Sequence, residues 1–121
     1  MNNKILIKRA YENVSETDGT RILVDRLWPR GKSKDILQLT SWEKSIAPST
    51  DLRKSFNHEV EKYDAFKLAY EKELEENEEA KAFIEKCQKW LKEGNLTLVY
   101  GAKDEEHNNA VLLRDWLERK M

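Results

Sequence analysis

Apolar and polar positions along the chain fall into blocks of two different periods. Lys4 to Arg9 reads Lys-Ile-Leu-Ile-Lys-Arg, a short β-branched run that predicts a first strand. A polar stretch with Asn13, Ser15, Asp18 and Gly19 follows, in which Ser15 to Asp18 predicts one capped turn before the glycine. Thr20 to Asp25 contains Arg21-Ile22-Leu23-Val24, the near-continuous apolar run of a strand covered on both faces, and predicts a central strand. Leu96 to Tyr100 repeats that pattern and breaks at Gly101.

Elsewhere the period is helical. Ser49 or Thr50 caps a predicted helix running to about Phe56, with Asp51 in the first turn where the helix dipole favours an acid. A second helix spans about Val60 to Glu76 and buries Tyr63, Phe66, Tyr70 and Leu74. A third spans about Glu78 to Glu93, buries Ala80, Phe83, Ile84, Cys87, Trp90 and Leu91, and ends at Gly94. Asp104-Glu105-Glu106 opens a last helix to about Lys120, with Ala110, Leu113, Trp116 and Leu117 along one stripe. Ser33 to Leu37 predicts a single helical turn. Ile36, Leu37, Leu39 and Trp42 are apolar enough to pack on a sheet, but their spacing selects neither helix nor strand. Strand, short loop and helix in succession predict an α/β class: a small single-domain three-layer fold over residues 1–121, with a short, mostly parallel sheet flanked by helices.

Composition narrows the picture. A chain of 121 residues fits one domain that needs no disulfides. Its mean hydropathy of -0.86 reads as heavily charged helix surfaces around an ordinary core. The single cysteine, Cys87, falls on the apolar face of its helix and excludes an intrachain disulfide or a cysteine-rich zinc site. His58 and His107 form no local metal motif, so neither a metal nor a cofactor is expected. No apolar stretch approaches the ~20 residues of a membrane span, and Met1 to Lys8 lacks a signal-peptide pattern. A soluble cytoplasmic protein with no membrane partner is the expectation.

The net charge of -1 hides a split. Residues 1–34 carry eight basic and four acidic side chains, whereas residues 59–93 carry seven and eleven. Arg21 to Lys34 alone holds five basic residues against Asp25. In parallel sheets ligands bind outside the carboxyl ends of strands, which singles out the loops after Asp25 and after Tyr100. The first offers Asp25, Arg26, Trp28 and Arg30, and a guanidinium matches phosphate or carboxylate with its planar fork of donors. The second offers Lys103, Asp104, His107, Asn108 and Asn109 around a helix start.

Each candidate also has a plainer role. Asp104 to Glu106 can satisfy the helix dipole themselves, and Arg26 or Arg30 can stack on Trp28 or pair with an acid. His107 stands three positions after Asp104, suited either to exchange protons near neutrality or simply to hydrogen-bond that carboxylate. His58, at a helix end, is suited to satisfying carbonyls. The Trp28 and Trp42 pair and the Tyr63, Phe66, Tyr70 stripe fit a core better than a base-stacking platform. No phosphate-loop lysine motif, glycine-rich dinucleotide turn, nucleophile elbow or zinc signature is present.

Three separated segments, Arg21-Ile-Leu-Val-Asp-Arg-Leu-Trp-Pro-Arg-Gly31, Ala47-Pro-Ser-Thr-Asp-Leu-Arg53 with Phe56 and His58, and Leu98-Val-Tyr-Gly-Ala-Lys-Asp-Glu-Glu-His-Asn-Asn109, together resemble the YeaO-like branch of the domain of unknown function 488 family. The resemblance covers nearly the whole chain and implies a small bacterial or archaeal cytoplasmic α/β protein. It implies no assigned activity. In the broader family a cysteine usually stands where this chain has Tyr100, with a further cysteine-histidine-arginine run near 108–110. Neither cysteine is present here, so thiol chemistry does not carry over. The arginine-tryptophan-proline-arginine loop, Arg53, His58, Lys103, Asp104, His107 and Asn108 do carry over.

The leading expectation is a phosphate- or nucleotide-recognising domain, whether enzyme or binder, whose cleft lies between loops 25–31 and 101–109. Arg26, Trp28, Arg30, Arg53, His58, Lys103 and Asn108 would bind the ligand. His107 would shuttle a proton, oriented by Asp25 or Asp104. The alternative is a non-catalytic nucleic-acid-associated or regulatory module that uses the basic first 34 residues as its contact face. A third reading makes the same polar residues a buried network that specifies the fold.

Overall fold

The computed structural model describes residues 3–121. Four strands form one parallel sheet: β1 (Ile5–Arg9), β2 (Thr20–Leu23), β3 (Ser41–Trp42) and β4 (Leu96–Tyr100), in the order β1-β4-β2-β3. The two apolar runs predicted as central strands occupy the two inner positions, and all five residues of β4 are buried. Ile7, Leu98 and Ile22 share one rung, as do Lys8, Val99 and Leu23. Strand side chains alternate between faces, so Ile5, Ile7, Ile22, Leu96, Leu98 and Tyr100 point one way and Leu23 and Val99 the other.

The first face carries the large core. α2 (Thr50–Phe56), α3 (Tyr63–Glu76), α4 (Glu78–Glu93) and α5 (Asn109–Lys120) pack their apolar stripes there, with Phe66, Tyr70, Leu74, Phe83, Cys87, Leu113 and Trp116 buried. Burial pushes the Cys87 thiol up to about 12. Arg119 and Lys120 of α5 pair with Glu71 and Glu75 of α3 at the surface. No helix among the described residues is long and apolar enough to cross a membrane.

The opposite face has a thinner cover. Loop 26–42, with the single turn α1 (Lys34–Leu37), lays Trp28, Leu37, Leu39 and Trp42 over Ala10, Leu23 and Val99. Near the amino ends of the strands this face is polar inside. Arg21 Nη1 meets Asp18 Oδ2 at 2.7 Å, and Lys8 Nζ meets Asp18 Oδ1 at 3.1 Å. Arg21 Nε donates to the Leu37 carbonyl (2.8 Å), and Thr97 Oγ1 donates to the Asp18 carbonyl (2.7 Å). Asp18 is also the reciprocal partner in the predicted turn, accepting from the Ser15 N–H, while Ser15 caps the 3-10 turn Glu16–Asp18. Gly19 follows with φ 64°, and a Cβ there would lie 2.1 Å from the Asn95 carbonyl oxygen. Only glycine fits that approach.

Four boundaries differ from the sequence expectation. The unassigned 36–42 segment contains β3, which hydrogen-bonds beside β2, and a 3-10 turn at Lys44–Ile46 follows it. Regular pairing in β2 stops at Leu23, although the Val24 N–H still reaches the Val99 carbonyl at 3.0 Å. The helix predicted from Val60 begins as a 3-10 turn, Val60–Lys62. α5 starts at Asn109 rather than Asp104, because the Asp104 carboxylate caps a separate turn first.

Candidate functional site

A cleft of about 250 Å³ opens at the carboxyl ends of β2 and β4. The two loops singled out from sequence face each other across it, and α2 with its following turn supplies a third wall.

Asp25, the first residue after the apolar run of β2, anchors the first loop. Its Oδ2 accepts the Gly101 N–H at 2.8 Å and its Oδ1 accepts Asn109 Nδ2 at 3.2 Å, so the carboxylate bridges the ends of both strands. A Cβ at Gly101 would stand 3.3 Å from that oxygen, a tight approach that glycine relieves. Burial raises the Asp25 pKa; these two hydrogen bonds and the positive charges of Arg53 and His58 only partly oppose it. Among the described residues no cation touches the carboxylate directly.

Arg26 lines the cleft, but its guanidinium is already engaged: Nε donates to the Pro48 carbonyl and Nη2 to the Ala47 carbonyl, both at 3.2 Å. The buried Tyr70 hydroxyl donates to the Ile46 carbonyl at 2.6 Å. Together they pin the segment that enters α2. Trp28 donates from Nε1 to the Lys32 carbonyl (2.6 Å) and meets Trp42 edge-on at 5.3 Å, closing its loop over the thin face. Arg30 is exposed and outside the cleft.

Arg53 stands exposed in the last turn of α2 on the cleft wall, and its guanidinium makes no hydrogen bond or ion pair among the described residues. His58 lies close by. The expectation that it satisfies helix carbonyls fails, because the Asn57 N–H takes the Arg53 carbonyl at 3.0 Å. Asn57 and His58 are consecutive left-handed residues, φ 47° and 56°, an uncommon and strained pairing for side-chain-bearing residues. That turn brings the imidazole to the cleft, 6.1 Å from the Phe56 ring.

The second loop consists of two capping turns in series. Asp104 Oδ1 accepts the N–H groups of Glu106 and His107, each at 2.9 Å, and these bonds hold its carboxyl below the usual range. Its other oxygen lies 3.0 Å from His107 Nδ1. Asn108 Nδ2 then donates to the Asp104 carbonyl while Asn108 Oδ1 accepts the Val111 N–H at the start of α5. Tyr63 packs edge-on against His107 (5.0 Å) and donates its hydroxyl to the Asn108 carbonyl; burial pushes that phenol up to about 12. His107 is thus oriented by Asp104, and Asp25 has no part in it.

The fold therefore gathers Asp25, Arg26, Trp28, Arg53, His58, His107 and Asn108 around one cleft, with Asp104 one step behind His107. Lys103, like Arg30, is exposed and outside. Asn109, Pro48, Phe56 and Phe66 complete the walls. Asn109 was legible in part: the second of two asparagines at a helix start has its amide free when the first is the cap. Its Nδ2 reaches the Val24 carbonyl as well as Asp25. Four of the eight basic side chains in the first 34 residues are engaged within the protein. Lys8 and Arg21 hold Asp18, Arg9 Nε donates to the Ala102 carbonyl, and Arg26 holds two carbonyls.

Residues 4–121 match the family described as the inactive DUF488-N3 subclade. The chain belongs to this family. It is similar to the uncharacterised protein YeaO of Escherichia coli, with 46% identity over 114 residues, covering 93% of this chain and 96% of YeaO. The uncharacterised proteins Rv3073c of Mycobacterium tuberculosis and Mb3100c of Mycobacterium bovis are each 39% identical over 74 residues, 61% of this chain and 63% of theirs. No solved structure matches the chain. Among the described residues no serine, threonine, cysteine or lysine lines the cleft; its ionisable and imidazole groups are Asp25, Arg26, Arg53, His58 and His107.

Proposed function

We propose that this family member is a binding domain, without catalysis of its own, for a small phosphate-bearing molecule of the nucleotide class. The observation that carries this reading is Arg53: an exposed guanidinium on the wall of a concave site, with no protein partner among the described residues. A planar fork of donors left open at a cleft suits a phosphate or carboxylate. His58 and His107 stand at the same cleft and extend its donor set. The subclade's description as inactive, and walls without a serine, threonine, cysteine or lysine among the described residues, support binding over chemistry. His107 then serves as a ligand contact held by Asp104, rather than as a proton shuttle. The internal pairing of Lys8, Arg9, Arg21 and Arg26 weighs against a broad basic face for nucleic acid.

Calorimetric titration with inorganic phosphate, pyrophosphate and nucleoside monophosphates tests the reading. Loss of one charge-assisted contact of about 1.5–3 kcal/mol predicts that Arg53→Ala weakens binding roughly 10- to 100-fold. Arg30→Ala, outside the cleft, leaves it unchanged. Binding that is indifferent to Arg53→Ala, or the absence of millimolar binding by any of these compounds, overturns it.

A further inference from the structure

The cleft's lining combines basic and acidic side chains. Arg53, with His58 beside it, supplies hydrogen-bond donors and positive charge to one wall, and Asp25 adds a carboxylate to the same cleft with no cation in contact among the described residues. Each Asp25 oxygen accepts one neutral donor, which leaves lone pairs on both. A phosphate alone would meet the guanidinium and bring no donor to these acceptors. A ligand that satisfies both sides carries an anion at one end and neighbouring N–H donors at the other. Pro48 and the stacked rings of Phe56 and Phe66 also line the cleft, and such apolar walls favour a flat apolar body. At about 250 Å³ the space is below the roughly 300 Å³ of ordinary ligand pockets and suits one ring system, with the remainder of the molecule reaching the rim.

We propose that the ligand is a guanine nucleotide, whose N1–H and exocyclic N2–H donate to the two oxygens of Asp25 while its phosphate lies against Arg53 and His58. The inference rests on the phosphate-binding reading above and adds the base to it. Guanine alone among the common bases presents two adjacent donors matched to the spacing of a carboxylate. Adenine turns its N1 lone pair toward the same oxygens and is repelled. Gly101 and Asn109 fix the carboxylate in place before the ligand arrives.

The test is a titration of the intact protein with GMP, IMP, AMP and ribose 5-phosphate at constant ionic strength. GMP is expected to bind at least about tenfold more tightly than AMP or ribose 5-phosphate, with IMP, lacking the exocyclic donor, between them. Asp25→Asn should erase the GMP preference and keep the ribose 5-phosphate affinity. Thermal denaturation reports whether that variant folds, and the wild-type ranking decides the matter if it does not. Equal affinity for all four ligands, still dependent on Arg53, overturns the guanine assignment and leaves phosphate binding standing. A GMP preference retained by folded Asp25→Asn also overturns it. Binding of none of the four removes both readings.

Discussion

Asp18 and Asp25 bracket the same short strand, β2, one at each end, and the chain treats them in opposite ways. Asp18 lies under the sheet's thin face with two cations, Lys8 and Arg21, in direct contact. Asp25 lies at a cleft where, among the described residues, neutral donors alone hydrogen-bond it, and Arg53 acts on it without contact. For Asp18, burial works against the ionised form, but hydrogen bonds from Ser15, Lys8 and Arg21 outweigh it and lower the pKa. For Asp25, burial wins and the pKa rises. A buried acid enclosed by its partners belongs to the architecture. One left under-compensated beside open space is available to something else.

The strongest way to break this contrast is to remove each acid. Asp18→Ala strands Arg21 in the interior, where Nη2 is already unpartnered, and should cost about 3–5 kcal/mol in urea denaturation. A loss under about 1 kcal/mol would mean that Asp18 is no more structural than Asp25. Arg26→Ala comes next: it frees the carbonyls of Ala47 and Pro48 and should cost roughly 1–3 kcal/mol while weakening binding only through the slackened wall. Arg53→Ala should leave stability within about 0.5 kcal/mol of wild type, so that its effect on binding is not a folding effect.

The pH dependence sharpens the comparison with signs that oppose. Stability from Asp18 is complete above its unfolded pKa and is lost as pH falls through the lowered folded value. Asp25, ionised and buried above its raised folded pKa, costs stability there, and the cost disappears as pH falls through that value toward the unfolded one. Wild type should therefore gain on Asp25→Asn as pH drops from neutral toward about 4, and lose to Asp18→Asn below that. Parallel curves for the two variants in acid denaturation would show that the two sites are electrostatically alike.

Much of this was legible in the sequence, for identifiable reasons. Runs such as Arg21 to Val24 and Leu96 to Tyr100 are buried on both faces, so their continuous hydrophobicity marks central strands regardless of context. The strand-end rule then locates the cleft. β3 escaped because two residues give no period, and its existence depends on a neighbour, β2, that a local pattern cannot show. Sequence could not rank the arginines either. Arg26, Arg30 and Arg53 are equivalent as letters; what separates them is the carbonyls of Ala47 and Pro48, which close on the first alone. The same holds for the start of α5, where Asp104 and Asn108 are both good caps and three-dimensional spacing gives the helix to the second.

The strand order has a consequence for the way the chain comes into being. Among the described residues β1 pairs with β4 alone, and β4 is also the partner that joins β2 to β1. The first strand made must therefore wait for the last, some ninety residues later along the chain, before it has a neighbour to hydrogen-bond. Closing so distant a contact is slow relative to local structure. During synthesis the nascent amino-terminal strand, Ile5–Arg9, is an unpaired edge, and the lysine and arginine at its end help to keep it from the edges of other chains. A chain cut short before Leu96 would have helices and no completed sheet, which makes the integrity of the last quarter a condition for the folding of the first.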